Sequence, residues 1–142
     1  MKSSARSQFH GTVSALRQGA VNDEIELTIV GGQKIIAVIT RSSTQRLGLN
    51  VGSEVVALVK SSSIIIACDA QDVRFSARNC LAGTVSRLVP GAVNTEVVID
   101  LPEGGSVTTI ITNESVKSLD LAVGNTASAI FKASSVILCA SA

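Results

Sequence analysis

Five polar positions recur in this 142-residue chain at a constant spacing of 72 residues: Ser4 and Ser76, Arg6 and Arg78, Thr40 and Thr112, Ser43 and Ser115, Lys60 and Lys132. All can donate hydrogen bonds, two of the five are cationic, and none is a carboxylate. Thr40 and Ser43, like Thr112 and Ser115, stand three apart at the start of an expected helix, beside backbone N–H groups that lack intrahelical partners. A guanidinium and an ammonium brought to the same place would nearly neutralise a dianion. The chemistry this set suits is binding of a small oxyanion. A fully ionised dianion only accepts hydrogen bonds, whereas monoprotonated phosphate brings a proton that no carboxylate receives. Taken singly, a capping threonine, a lysine at a strand end or an arginine on a barrel surface is common without any ligand. Retention of all five in both copies favours the anion site.

The elements that position these residues are also written twice. Ser4-Ala5-Arg6, Gly11-Thr12-Val13-Ser14 and Gly19-Ala20-Val21-Asn22 return as Ser76-Ala77-Arg78, Gly83-Thr84-Val85-Ser86 and Gly91-Ala92-Val93-Asn94, and Leu47/Leu119 and Gly52/Gly124 keep the offset. A unit this long, present only twice, is a duplicated domain and not a solenoid. The expected domains are residues 1–70 and 73–142, and the short Asp69–Asp72 linker predicts that they pack together or against neighbouring chains. Ile25, Leu27 and Ile29 alternate with polar residues, as do Val97, Ile99 and Leu101, predicting strands with one buried face. Gly31-Gly32 and Pro102-Glu103-Gly104-Gly105 supply hairpin turns to the β-rich runs Ile35–Ile39 and Val107–Ile111. Helical turns follow over Ser42–Leu47 and Glu114–Leu119, then strands over Glu54–Val59 and Ile64–Ala67, matched by Thr126–Phe131 and Val136–Cys139. The expected fold class is all-β: two five-stranded antiparallel barrels of the oligonucleotide/oligosaccharide-binding (OB) type, each with a short helical turn. Gly19–Asn22 and Gly91–Asn94 read as turns with Gly or Asn at positive φ, whose consecutive N–H groups could form an anion nest.

Composition narrows the function classes. With 12 Lys+Arg against 11 Asp+Glu the net charge is +1, so any anion site must be local. No apolar run reaches the length of a membrane span and none resembles a signal peptide, so a cytoplasmic location is expected. Hydrophobic residues make up 46% of the chain, more than two small lobes readily hide, which predicts an oligomer. Cys68, Cys80 and Cys139 do not match across the repeat, and His10 is replaced by Ala82, so neither a metal site nor a histidine triad is expected. Glu24 and Glu96 match but fall on polar strand faces, where solvation is their ordinary role. No Walker loop, nucleotide fingerprint or nucleophile elbow occurs, and no enzyme is expected. The alternative reading is an OB-fold module for single-stranded nucleic acid. It lacks Trp and Tyr platforms and has only Phe9, Phe75 and Phe131.

In both halves and in the same order, Ser-Ala-Arg, Gly-Thr-Val, Gly-Ala-Val-Asn, Thr-x-x-Ser, Leu-x-Leu and Lys-x-Ser-Ser resemble the molbindins, molybdate-binding proteins built from Mop (TOBE) domains, in their tandem form. The resemblance implies OB-like barrels, a homotrimer, no catalysis and no cofactor, with molybdate or tungstate as ligand at domain and subunit contacts. The function implied is intracellular storage or buffering of molybdate, with no nucleic-acid or membrane partner. It assigns the main oxyanion sites to Ser4, Ala5, Arg6, Thr40, Ser43 and Lys60, and to Ser76, Ala77, Arg78, Thr112, Ser115 and Lys132. A possible second oxyanion site falls on Gly19, Ala20, Val21 and Asn22 and on Gly91, Ala92, Val93 and Asn94. Two positions depart from the family pattern: Ser7 replaces the Asn that follows Ser-Ala-Arg, present as Asn79, and Lys60 is followed by Ser61.

Overall fold

The computed structural model describes residues 1–141; Ala142, the last residue of the second expected domain, lies outside them. The first copy runs β1 (Ser7–Gln18), β2 (Asn22–Ile29), β3 (Lys34–Thr40), α1 (Arg41–Leu47), β4 (Glu54–Val59), a 3-10 turn (Ser61–Ser63) and β5 (Ile65–Ala67). The second repeats it as β6 (Asn79–Pro90), β7 (Asn94–Asp100), β8 (Ser106–Thr112), α2 (Asn113–Ser118), β9 (Thr126–Phe131), a 3-10 turn (Ala133–Ser135) and β10 (Val136–Cys139). Each alternating run buries its apolar face, with Ile25, Leu27 and Ile29 inward on β2 and Val97 and Ile99 on β7. The all-β expectation holds, and so do the hairpin glycines: Gly31, Gly32, Gly104 and Gly105 all take positive φ.

The sheets do not follow the division of the sequence. Their strand orders are β10-β4-β1-β2-β3 and β5-β9-β6-β7-β8, antiparallel throughout, so each sheet receives its fifth strand from the other copy. The exchange is reciprocal in register: Ile66 lies opposite Ala129 as Leu138 lies opposite Ala57. Duplication explains why it is possible, because both sheets offer the same edge and both copies end in the same kind of apolar strand. In each sheet the exchanged strand also comes near the far edge, β10 near β3 and β5 near β8, which curls the sheet toward an OB-like barrel. One continuous core results. Phe9 and Phe131, from different copies, stack at 6.4 Å between ring centroids and are 5% and 2% exposed.

The Ser-Ala-Arg and Gly-Thr-Val blocks lead into and lie within the longest strands, β1 and β6, at 12 residues each and central in their sheets. The register slips between Val13 and Ala15 and between Val85 and Arg87, so Ser14 and Ser86 are bulge residues that bend these strands. The Gly-Ala-Val-Asn turns correct an expectation, since no residue in 19–22 or 91–94 has positive φ. Gly19 is required for close approach: a Cβ there would stand 2.3 Å from the Asn22 carbonyl oxygen. Without alternating φ the turns are not preformed anion nests.

Candidate oxyanion site

The chain just after each Ser-Ala-Arg segment is pinned to the opposite copy. The Asn79 amide accepts from Ile36 N–H and donates to Ile36 C=O, both at 2.8 Å, sealing the start of β6 onto β3. At the matching place the Ser7 hydroxyl donates to Thr108 C=O at 2.8 Å and accepts from Thr108 N–H at 3.0 Å, sealing the start of β1 onto β8. One serine hydroxyl thus performs both functions of the amide, and the departure at position 7 leaves the seam intact. The 3-10 turns after Lys60 and Lys132 pack on β8 and β3 respectively, so each lysine arrives on the same side as its own Ser-Ala-Arg segment.

The repeated donors fall into separate clefts, and neither Thr40 nor Ser43 lines the cleft of Arg78 and Lys132. Ser76, Ala77, Arg78 and Lys132 line one cleft of about 490 Å3 together with Val38 of β3 and Ala133. Val38 lies two residues, about 7 Å of strand, before Thr40, and α1 begins immediately after. The second copy's own Thr112 and Ser115 line a different cleft, with Glu114, Lys117 and Ser118. Both helix starts are capped as expected: Thr40 Oγ1 accepts from Ser43 N–H and Thr112 Oγ1 from Ser115 N–H, each at 3.1 Å. Within each pair the hydroxyls are 2.8 Å apart.

Glu24 and Glu96 do more than face solvent. Arg6 Nη2 donates to Glu96 Oε1 at 2.6 Å, and Arg78 stands against Glu24 as an ion pair not aligned for a hydrogen bond. Each arginine is therefore held by the other copy's carboxylate, on the strand beside the one that ends in Thr-x-x-Ser. The arginine side chains are about half exposed, at 52% and 57%, a setting where such pairs contribute about 0 to 1 kcal/mol.

Ser61 is the residue that spacing alone passes over. It is buried, its hydroxyl has no partner, and its counterpart Ala133 lines the cleft of Arg78 and Lys132. The departure after Lys60 thus places a hydroxyl where the second copy has a methyl group. A wider cleft of about 680 Å3, between His10, Thr12, Val30, Glu54 and Cys139, contains none of the repeated donors and presents a carboxylate to any anion. Among the described residues no three His, Cys, Asp or Glu side chains are grouped to hold a metal ion. All three cysteines are free, and burial, then the charge of Asp69, pushes the Cys68 thiol above its ordinary pKa. Among the described residues no helix is long and apolar enough to cross a membrane.

Barrel architecture and reciprocally exchanged strands define a class of tandem OB-like domain. Both copies match the TOBE domain, over residues 3–66 and 76–138, and the chain belongs to the TOBE domain family. It is 45% identical over 138 residues to the molybdenum transport protein ModE of Herbaspirillum seropedicae, and 44% identical over 138 residues to the molybdenum-pterin-binding protein MopA of Rhodobacter capsulatus. Those matches take in 97% of this chain but 51% and 52% of the two relatives, so the chain spans about half the length of the curated relatives it matches. Among solved structures, the cytoplasmic molybdate-binding protein ModG with molybdate bound is similar at a TM-score of 0.96 and 48% identity, covering 99% of this chain and all of that one.

Proposed function

We propose that this chain binds molybdate reversibly, in sites that each combine the Ser-Ala-Arg segment and lysine of one copy with the Thr-x-x-Ser pair of the other. One site takes Ser76, Ala77, Arg78 and Lys132 with Thr40 and Ser43. Its counterpart takes Ser4, Ala5, Arg6 and Lys60 with Thr112 and Ser115, and adds the Ser61 hydroxyl. The observation that carries this reading is the pair of reciprocal seams, Asn79 on Ile36 and Ser7 on Thr108, which set the chain after each Ser-Ala-Arg segment against the strand that leads into the other copy's capped helix. Similarity over the whole length of a protein crystallised with molybdate supports the choice of anion. The role that fits such sites is storage or buffering of molybdate in the cytoplasm, with tungstate as an alternative ligand and no reaction catalysed.

Assembly belongs to the same proposal. Val21 and Val93, Val51 and Val123, and Ile65 and Ile137 are matched between the copies and between 62% and 72% exposed, a repeated apolar surface that suits a homotrimer. In it, Gly19–Asn22 and Gly91–Asn94 would serve a second oxyanion site only with donors supplied by neighbouring chains. The nucleic-acid alternative loses its platforms, because Phe9 and Phe131 are stacked inside the core and only Phe75 reaches the surface. Calorimetric titration with molybdate, tungstate, sulfate and phosphate tests the reading. The first two should bind tightly at two main sites per chain; equal affinity for all four, or no binding, overturns it.

A further inference from the structure

The two proposed sites share their repeated donors and differ in their surroundings. Arg46 brings Nη2 to 3.5 Å from the Ser43 hydroxyl, on the face of α1 that carries the Thr40–Ser43 pair. At the matching place in α2, Ser118 turns its hydroxyl to the Ser115 carbonyl at 3.2 Å. Glu24, beside Arg78, also has Arg17 Nη1 3.7 Å from its second oxygen, where the other copy has Val89. Glu114 and Lys117 flank Thr112 and Ser115 with opposite charges that cancel. The site of Arg78, Lys132, Thr40 and Ser43 therefore carries two more positive charges than its counterpart. The counterpart has instead the buried, unpartnered Ser61 hydroxyl where the first has Ala133.

Resting on the site reading above, we infer that Arg46 and Ser61 make the two sites recognise the same dianion by different forces, one governed by ionic strength and the other by a short-range hydrogen bond. A dianion about 8 Å from an exposed guanidinium gains about a factor of five in affinity at water-like permittivity. That gain is kept in dilute buffer, where the screening length is about 30 Å, and is largely lost above physiological salt, where it falls below about 8 Å. A hydroxyl bonded to a charged oxygen is worth about tenfold or more, and at bonding distance it is far inside the screening length and barely screened. The relative occupancy of the two sites then follows ionic strength.

Titration of the full chain with sodium molybdate in dilute buffer and at about 0.3 M salt reads this directly. Two equal classes of site should appear, one losing about fivefold more affinity on adding salt than the other. Arg46→Ser should sharply reduce that excess, leaving only what Arg17 contributes beside Glu24, and Ser118→Arg should raise the salt dependence of the other class. Ser61→Ala should weaken only the salt-resistant class, by about tenfold at both salt concentrations. Each substitution installs, or removes in favour of, the residue already tolerated at the matching position, and a melting curve confirms folding. Two classes that move in parallel with salt, or an Arg46→Ser variant that shifts both alike, would overturn the inference while leaving molybdate binding intact. A parent chain that binds no molybdate at either salt would overturn the function reading and this one together.

Discussion

The two copies differ both where they face each other and where they face water, but in different ways. At the seam the types change but the task does not: Asn79 holds both polar groups of Ile36, and Ser7 holds both of Thr108 with one hydroxyl. At the Gly-Ala-Val-Asn turns the copies solve the same problem with different chemistry. The Asp23 carboxylate accepts from Gly19 N–H at 3.2 Å, whereas Thr95 bonds Asn113, whose amide reaches Gly91 C=O at 3.0 Å. Around the anion clefts the charges themselves diverge, Arg46 against Ser118 and Arg17 against Val89. The seams themselves are not identical: Thr109 donates its hydroxyl to Ser61 C=O and Ile64 C=O across one of them, where the other has Ala37.

The sharpest way to separate the copies is to remove one ammonium. Lys132→Ala should weaken one class of molybdate site by about 1.5 to 3 kcal/mol, the range for a hydrogen bond to a charged group, and leave the other class unchanged. Lys60→Ala should do the converse, and calorimetry reads both. The seam comes next. Asn79→Ala leaves a buried N–H and C=O of Ile36 unpaired and should cost about 1 to 3 kcal/mol in urea unfolding. Ser7→Ala should cost a similar amount, since the same two groups are orphaned on Thr108. If Asn79→Ala destabilises and Ser7→Ala does not, the seams are not equivalent. Smaller still are the caps: Thr40→Val and Thr112→Val should each lower stability by about 1 kcal/mol.

The smallest effect concerns Glu26, whose carboxyl the Ser14 hydroxyl holds below its usual range at 2.9 Å, with Lys34 assisting. A lowered folded value means that this stabilisation is present above the unfolded carboxylate pKa and is lost as pH falls through the folded one. The stability difference between the parent and Ser14→Ala should therefore shrink on acidification from neutral pH. A difference independent of pH would show that the hydroxyl acts only through its second contact, the Glu26 carbonyl at 3.3 Å.

Much of this was legible in the residues. The alternation of Ile25, Leu27 and Ile29, the glycine pairs and the threonine caps are local signals, and local chemistry fixes the strands, hairpins and helix starts they announce. The exchange of β5 and β10 was not legible, because identical copies make the intra-copy and inter-copy pairings of Ile66 and Leu138 equivalent on paper. The pairing of donors was lost for the same reason. A spacing of 72 groups Arg78 with Thr112, whereas the seam sets the chain after it against the strand that leads into Thr40. Ser61 stood out in sequence as a departure after Lys60, but its burial and unpartnered hydroxyl depend on packing against β8 from the other copy. The carboxylates on the arginines escaped because strand position placed Glu24 and Glu96 on a polar face without saying which cation shares it.

The claim that each site joins opposite copies is tested most directly by pairing Lys132→Ala with one serine at a time. Ser43→Ala and Ser115→Ala spare the caps, whose hydroxyls belong to Thr40 and Thr112. In calorimetric titration with molybdate, Lys132→Ala with Ser43→Ala should damage a single class and leave the other at the parent's affinity, while Lys132→Ala with Ser115→Ala should weaken both. The reverse pattern, with Ser115→Ala falling on the class already damaged by Lys132→Ala, would contradict the cross-copy account.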